Sequence, residues 1–489
     1  MADRHIIDGY EPVIGLEVHA QLSADSKIFC GCKAEYGAPP NSLTCPVCLG
    51  LPGALPVLNK KAVEYAMKMI LAVGGEVQLR SVFARKNYFY PDLPKGYQIS
   101  QFDLPLGEGG VVEFQIEGGK SRKTVRLKRI HLEEDAGKSL HPESGEDFTR
   151  IDLNRCGVPL IEIVTEPEIN TPQEAYGYLT KLKQMLQYLR ICSADMEKGH
   201  LRCDANVSVR PAGAHILGIR TEVKNLNSFK AVEKALAYEI ERQIGILKSG
   251  GKIEQCTLLW DDKRQAAESM RSKEESHDYR YFPEPDLVNL TIDEVWLEKI
   301  RAELPELAEA RVKRFISQYN IPEYDAMVLT DSRELADYYE DLMKEFNDGK
   351  AASNWIMTEL LRVLNEERAD IATFRIKPKM LAELLGYVQS GKISGKIAKD
   401  VFVEMIETSK TAGEIILSKG LTQISDDSLI RGVIAKVIAE NDDNLRKYLS
   451  GKKQIFGFFV GQVIKETGGK ANPGLVNKLL KEKLDDLAG

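Results

Sequence analysis

The segment Ile14–Leu22 restricts the fold of this chain more than any other, because its apolar and polar residues alternate. A period of two predicts a β-strand with one buried face and one open face. Glu17, His19 and Gln21 share the open face, where two residues of rise separate Glu17 from His19 by about 7 Å. A carboxylate and an imidazole at this spacing suit a divalent cation or a phosphate group. The alternative is a polar strand face that is simply solvated.

A second segment, Leu127–Lys138, carries the same alternation. It directs Arg129, His131 and Glu133 outward, and a β-bulge near the acidic run would turn Glu134 to that side as well. Either glutamate is therefore a candidate for the open face. The Gly-Lys-Ser sequence at 137–139 does not form a P-loop motif, because a leucine stands where the first glycine belongs and no strand–loop–helix pattern surrounds it.

A third segment, Leu201–Arg210, alternates most regularly and places Arg202, Asp204 and Asn206 on one face. Three strands that are distant in sequence thus each present carboxylates together with a cation or an amide. Like charges on one sheet face repel each other unless a metal or a ligand neutralises them. The pattern predicts one shared ligand site and makes a merely solvated face the weaker interpretation.

Four of the eight cysteines, Cys30, Cys32, Cys45 and Cys48, lie within nineteen residues of one another. Two close pairs suit a Zn²⁺ ion bound tetrahedrally by four thiolates, and four free thiols are the alternative. Such a closed site is structural and leaves no coordination position for chemistry. The other four cysteines are isolated, as in proteins of a reducing compartment.

Cations and aromatic residues interleave in the segment Arg85–Gln101, which includes Lys86 and Lys95. Its two prolines and its glycine exclude a long regular element. Aromatic rings can stack on a base while neighbouring cations neutralise phosphate. An aromatic loop that packs on a sheet is an equal alternative.

The length of 489 residues predicts roughly two to four domains. Mixed strand and helix signals extend to about residue 293, helical periodicity follows over 294–409, and short amphipathic helices follow over 410–489. The last part is locally basic although the net charge of the chain is −7. We therefore expect this tail to contact a nucleic-acid backbone, with a lysine-rich solvated face as the alternative.

The chain contains no apolar stretch of about 18 residues or more, and its polar N-terminus is unlike a signal peptide. We expect a soluble, cytoplasmic protein with no membrane partner. The acidic net charge argues against non-specific coating of nucleic acid.

Five motifs together resemble the B subunits of the aspartyl/glutamyl-tRNA amidotransferases. They are Val13–His19, Arg85–Pro91, His131–Ser139, Leu201–Asn206 and His277–Pro283. The resemblance covers the chain from end to end and includes the basic tail, which is similar to the YqeY-type tRNA-binding module.

The resemblance implies an α+β protein of three parts. A catalytic cradle domain related to the glutamine synthetase/guanido kinase fold would occupy residues 1–293. An all-α helical domain would follow over 294–409, and a small α-helical YqeY-like tail that binds tRNA would occupy 410–489.

The resemblance further implies an ATP- and Mg²⁺-dependent kinase and transamidase that acts on Glu-tRNA(Gln), Asp-tRNA(Asn) or both. ATP would phosphorylate the side-chain carboxylate of the misacylated tRNA, and ammonia would displace the phosphate. A partner amidase (A) subunit would release the ammonia from glutamine, and a small C subunit would complete a heterotrimer of the bacterial type. The chain shows no glutaminase motif of its own, in agreement with such a partner.

On this interpretation the candidate magnesium ligands are Glu17, His19, Glu133, Glu134 and Asp204. Because Mg²⁺ prefers oxygen, His19 is either a direct ligand or a hydrogen-bond partner of phosphate or metal-bound water. The candidate catalytic residues are Glu17, His19, Glu134 and Lys86, and the candidates for binding the nucleotide with its metal are Lys86, Lys95, Arg202 and Asp204. The three cations are also candidates for a polar path along which ammonia travels.

Two other functions are compatible with these residues. A non-catalytic tRNA-binding scaffold of an amidotransferase complex is the main alternative. A free-standing amide ligase for a small acid is a third, which the basic tail disfavours.

Overall fold

The computed structural model describes residues 5–116, 121–140, 148–269, 279–421, 427–468 and 471–488. The chain divides into two compact units, Met1–Leu307 and Ala308–Gly489. The sequence also predicts a turn at Gly118 and Gly119. These two residues lie outside the described ones, as do His277 and Asp278 of the fifth motif.

The first unit combines strands and helices. Its strands are β1 Tyr10–Gln21, β2 Glu76–Val77, β3 Arg80–Ser81, β4 Ala84–Asn87, β5 Tyr97–Ser100, β6 Gly107–Glu108, β7 Val111–Ile116, β8 Ser121–Glu134, β9 Lys138–Leu140, β10 Arg150–Asp152, β11 Pro159–Thr165, β12 Leu201–Pro211, β13 Thr221–Leu226, β14 Thr257–Asp261, β15 Ala266–Ser269, β16 Phe282–Pro283 and β17 Leu290–Thr291. Its helices are α1 Lys60–Ala72, α2 Pro172–Tyr188, α3 Phe229–Lys248 and α4 Glu294–Ala302.

Ten strands form one large sheet in the order β15-β14-β13-β12-β1-β11-β8-β6-β2, with β7 paired to β8. All neighbours are antiparallel except β13 and β14, which are parallel. The strand predicted first, β1, lies at the centre between β11 and β12. The three polar segments recognised in the sequence are therefore brought together in one sheet, with only β11 between β1 and β8.

One face of this sheet forms the core of the unit. Ile14, Leu16, Val18 and Ala20 of β1 are almost completely buried, as their alternation predicts. Helices α1, α2 and α3 contact strands β8, β7 and β12. Asn59, Thr171 and Ser228 begin these helices by accepting hydrogen bonds from backbone N–H groups of the first turn. The helices thus leave the other face of the sheet to its polar side chains.

A three-stranded sheet in the order β16-β4-β5 lies beside the end of β8. Its strand β5 donates hydrogen bonds to the last residues of β8, from the Ile99 backbone to Glu134 and from the Ser100 hydroxyl to Glu133. Lys86 lies on β4 of this small sheet. Part of the cation–aromatic run therefore forms structure that adjoins the polar face.

All elements of the second unit in the described residues are helices. They are α5 Ala308–Tyr319, α6 Glu323–Leu329, α7 Arg333–Met343, α8 Gly349–Trp355, α9 Leu361–Glu367, α10 Pro378–Gln389, α11 Gly395–Thr408, α12 Ala412–Lys419, α13 Asp427–Glu440, α14 Asp442–Leu449, α15 Phe456–Glu466 and α16 Pro473–Ala488. A π-helical turn, Ile356–Leu360, joins α8 to α9, and a 3₁₀ turn, Lys453–Ile455, precedes α15. Helices α5–α12 share one hydrophobic core and α13–α16 share another. The predicted α+β class, with sheet first and helices afterwards, is confirmed.

No helix in the described ranges has both the length and the apolar content that crossing a bilayer requires.

Candidate functional site

A row of directly paired residues crosses the polar face of the sheet. His19 of β1 pairs with Arg202 of β12 on one side and with Glu162 of β11 on the other, and Glu162 pairs with His131 of β8. Directly paired residues of antiparallel strands point to the same side of a sheet. The row therefore places two imidazoles, a carboxylate and a guanidinium side by side.

Glu133 completes a group that we call the sheet-face cluster: His19, His131, Glu133 and Glu162. The His19 Nε2 atom lies 3.4 Å from Glu133 Oε1 and 3.2 Å from Glu162 Oε2. The His131 Nε2 atom lies 3.8 Å from Glu133 Oε2 and 3.5 Å from Glu162 Oε2. Three members of the cluster, His19, Glu133 and Glu162, offer donor atoms that all lie within 4.8 Å of one another.

The carboxylates and the imidazoles of the cluster stabilise each other's charged forms. Burial alone would raise the pKa values of Glu133 and Glu162, but contact with the two imidazoles holds the first well below its usual range and lowers the second to about 2. Burial alone would lower the pKa of His19, yet the two carboxylates raise it to about 10. Both carboxylates are thus ionised, and a protonated imidazole offsets part of their charge.

These donors fit a divalent cation. Two ionised carboxylates supply the oxygen ligands that Mg²⁺ prefers, and the imidazole can bind it or orient a bound water. The cation would take over the charge balance that the His19 proton provides here. Burial raises the pKa of Glu17, and the nearby charge of Glu162 raises it further.

The structure places Glu133 and Glu134, both candidates for the open face from the sequence, on opposite sides of the sheet. The pairing of β8 with β11 runs without a register shift through Glu133 and Glu134, so the bulge considered above does not form. Glu133 consequently shares a face with His131, and Glu134 points away from it. There Glu134 forms an ion pair with Lys95 and accepts the Ile99 backbone N–H at 2.8 Å.

The two candidate lysines therefore occupy different places. Lys86 is half-buried close to Glu133, whose charge raises the lysine pKa against the opposing effect of burial, and its Nζ atom lies 4.9 Å from the centre of the Tyr279 ring. Lys95 lies with Glu134 in a second cavity of about 200 Å³ that Cys30 and Cys48 also line. Of these two lysines, Lys86 is the one brought to the sheet-face cluster.

The remaining candidates surround the cluster on β1 and β12. Glu17 pairs directly with Asp204 and accepts a hydrogen bond from the Asn206 amide at 3.0 Å. Asp204 accepts one from Lys224 at 2.8 Å. Arg202 donates to Asp135 at 2.9 Å, so its charge is offset by a carboxylate outside the cluster.

A cavity of about 430 Å³ opens on this face. Its lining includes Glu17 and Glu162 from the acidic side and three cations, Lys128, Arg129 and Arg220. A cavity that combines carboxylates with cations can hold a metal ion together with an anion such as phosphate.

The four clustered cysteines meet as their spacing predicts. Their sulfur atoms all lie within 4.8 Å of one another, and those of Cys45 and Cys48 are 3.8 Å apart. Two thiolates on a tetrahedral zinc ion with Zn–S bonds of about 2.3 Å are separated by about 3.8 Å. The geometry thus fits a possible structural zinc site.

Electrostatics around Cys48 favour a thiolate. A hydrogen bond from Cys30 is the main reason that the pKa of Cys48 falls to about 4, and the Cys45 backbone N–H and the Lys27 ammonium lower it further. Lys27 is completely buried, with its Nζ atom 3.6 Å from Cys48 Sγ and 2.7 Å from the Leu43 carbonyl oxygen. A buried ammonium beside a thiolate suits a metal site of excess negative charge.

Sequence reasoning missed Glu162, which the structure places at the centre of the cluster. The sequence could have indicated Glu162, because it is the only charged residue in the apolar run Pro159–Val164. A single carboxylate in a strand that otherwise reads as buried needs a partner. Asp135 and Lys224, which balance Arg202 and Asp204, gave no local signal.

Fold and site together define a mixed sheet protein whose open face carries clustered carboxylates, imidazoles and cations, followed by a helical module. Residues 12–298 match the family model described as the GatB/GatE catalytic domain, and residues 337–484 match a second model described as the GatB domain. The chain belongs to this family.

Curated relatives match over almost their whole length, and each is named as the B subunit of an aspartyl/glutamyl-tRNA(Asn/Gln) amidotransferase. The one from Thermodesulfovibrio yellowstonii is 55% identical over 96% of this chain and 98% of the relative. Another, from Carboxydothermus hydrogenoformans, is 55% identical over 98% of this chain and 99% of its own. The one from Prosthecochloris aestuarii is 54% identical over 98% of both chains.

Proposed function

We propose that this chain is the subunit of a tRNA-dependent amidotransferase that amidates Glu-tRNA(Gln), Asp-tRNA(Asn) or both, and that it activates the carboxylate with ATP. The observation that carries the kinase step is the sheet-face cluster, whose two ionised carboxylates adjoin a cavity lined by cations. Family membership supports the overall reaction.

The chemistry requires such a site. The side-chain carboxylate of a misacylated tRNA is a poor electrophile because oxide is a poor leaving group. Transfer of the γ-phosphoryl group of ATP gives an acyl phosphate and ADP, and attack by ammonia gives the amide, phosphate and a proton. Phosphoryl transfer depends mainly on positioning and on charge stabilisation at the phosphate oxygens.

We assign roles to the residues of the face accordingly. Glu133 and Glu162 would hold Mg²⁺ with His19 as ligand or orienting group, and Glu17 and Asp204 would bind it directly or through water. The metal would neutralise phosphate oxygens. Lys86, which lies close to Glu133, would stabilise charge on the transferred group.

Lys95, Glu134 and Arg202 receive a different role, because each already forms an ion pair with a residue that is not a member of the cluster: Lys95 with Glu134, and Arg202 with Asp135. Buried ion pairs between acids and bases can form a polar path for ammonia from the amidase to the sheet face. The relatives are named as one subunit of an amidotransferase, which supports a complex with other subunits. We propose an amidase (A) subunit and a small C subunit as partners, in the cytoplasm where the tRNA substrate is found.

The complex itself tests the kinase proposal. With ATP, Mg²⁺, ammonium chloride and misacylated tRNA, we expect ADP formation that depends on the tRNA and continues when the glutaminase site of the amidase is inactivated by mutation. A complex that amidates the tRNA without forming ADP would overturn the proposed activation step. If ATP is consumed by the other subunits after this chain is removed, the chain is a tRNA-binding scaffold instead.

We further propose a division of labour among a catalytic domain over 1–293, a helical domain over 294–409 and a tRNA-binding tail over 410–489. Ala412, Ile415 and Ile416 pack in the core of the preceding helices, whereas the core of α13–α16 is formed by residues from Ile430 onward. A truncation that tests the tail should therefore follow Leu421 rather than begin at residue 410.

Truncation after Leu421 is expected to raise the KM for tRNA about tenfold and to make its salt dependence shallower, because phosphate contacts release counterions. Steady-state kinetics at several salt concentrations measure both quantities, and an unchanged KM for ATP is the internal control. A KM for tRNA that stays the same would assign the tail another role.

A further inference from the structure

Two aromatic rings from distant parts of the first unit are stacked beside the candidate active site. The ring centres of Phe102 and Tyr281 are 4.0 Å apart, and the ring planes differ by 6°. Phe102 is 41% exposed and lines the 430 Å³ cavity together with Glu17 and Glu162. Because Tyr281 covers one face of the Phe102 ring, the opposite face is the one that a ligand can reach.

Buried polar contacts hold both rings in position. Gln101, which precedes Phe102, is almost fully buried, and its side-chain oxygen accepts the backbone N–H groups of Leu106 and Leu132 at 3.2 Å and 3.0 Å. Tyr281 precedes β16, which pairs with Arg85 of β4. The Arg85 guanidinium in turn donates two hydrogen bonds to Glu284 at 2.7 Å and 2.8 Å. These hydrogen bonds and the strand pairing thus hold the stacked Phe102 and Tyr281 rings in place before any ligand binds.

The same cavity has a buried hydrogen-bond donor that an anion could use. Arg129 lines it, and the buried Nε atom of this residue has no hydrogen-bond partner in the part of the chain that the structure describes. A buried guanidinium N–H without an acceptor is costly unless a ligand supplies one. Lys128 and Arg220 add positive charge to the lining.

We propose that Phe102, supported by Tyr281, is the stacking platform for the adenine ring of ATP. The cavity then contains a partner for each part of the nucleotide: an aromatic face for the base, cations for the phosphates and carboxylates for the accompanying metal. Its volume of about 430 Å³ is in the range of sites for one small ligand. This inference rests on the proposed function, since it places the base of the nucleotide that the kinase step consumes.

The test compares Phe102→Ala with Phe102→Tyr in the assembled complex. Isothermal titration with the non-hydrolysable analogue AMP-PNP and Mg²⁺ measures the dissociation constant of the nucleotide. We expect Phe102→Ala to raise it about tenfold, in line with the loss of one base–aromatic stack, and Phe102→Tyr to leave it within about twofold of the unmutated complex. The KM for tRNA is measured in parallel.

Phe148→Ala is the matched control, because Phe148 is a similarly exposed phenylalanine of the same unit that does not line the cavity. Thermal melting shows that each variant is folded. Equal affinities of the Phe102→Ala and Phe148→Ala complexes for AMP-PNP would contradict the proposed stacking of adenine on Phe102. A rise in the KM for tRNA alone would also contradict it and would assign the Phe102 ring to the terminal adenosine of the tRNA. If the unmutated complex does not bind AMP-PNP, the proposed function fails first.

Discussion

Replacing Glu133 with glutamine is expected to lower ATP-dependent amidation about 100-fold, the loss typical of removing a group that holds or orients a metal. Glutamine keeps the shape of the side chain, which is only 2% exposed and accepts a hydrogen bond from Ser100 at 3.2 Å. It removes one of the two charges that would hold Mg²⁺ beside His19. The measurement is kcat for amide formation on misacylated tRNA at saturating ATP.

Two comparisons make this result specific. Glutamine hydrolysis by the amidase should continue in the Glu133→Gln complex, which shows that the assembly is intact. Glu134→Gln, at the adjacent position, should affect kcat less, because its carboxylate faces Lys95 instead of the cluster. If Glu134→Gln abolishes amidation and Glu133→Gln does not, the metal lies on the other side of β8.

Replacing Cys48 with serine is expected to remove bound zinc and to destabilise the loop that the four cysteines close. A structural zinc ion contributes about 10–16 kcal/mol of apparent binding free energy in small zinc-binding domains at neutral pH. Loss of one thiolate also leaves the buried Lys27 ammonium without its anionic neighbour. We expect the zinc content to fall from about one ion per chain to nearly none, measured by elemental analysis of the purified complex.

Limited proteolysis of the same variant reports the stability of the loop. Cleavage within residues 30–57 should become at least about tenfold faster, since a local site opens more often when its metal is lost. Cys256→Ser is the control, because Cys256 lies outside the cysteine cluster. An unmutated protein that purifies without zinc and resists cleavage equally would favour four free thiols.

The comparison of Glu133 with Glu134 shows how far a strand pattern can be read. Alternation in Leu127–Lys138 predicted that Arg129, His131 and Glu133 share a face, and the pairing of β8 with β11 agrees. The pattern could not exclude a bulge at the strand end, because a bulge depends on the partner strand. The partner, β11, continues its regular pairing to Pro159 opposite Glu134 and thereby separates the two glutamates.

Sequence alone determined the features that depend on near neighbours along the chain: the period of β1, the spacing of the cysteines, the change from sheet to helices, and the family through its motifs. Tertiary structure decided which charges meet. Glu162 joins His19 only because β11 lies beside β1, and Arg202 is balanced by Asp135 only because the fold brings the end of β8 close to β12. Local periodicity sets the direction of each side chain, whereas strand order and register arise from packing between segments far apart in sequence.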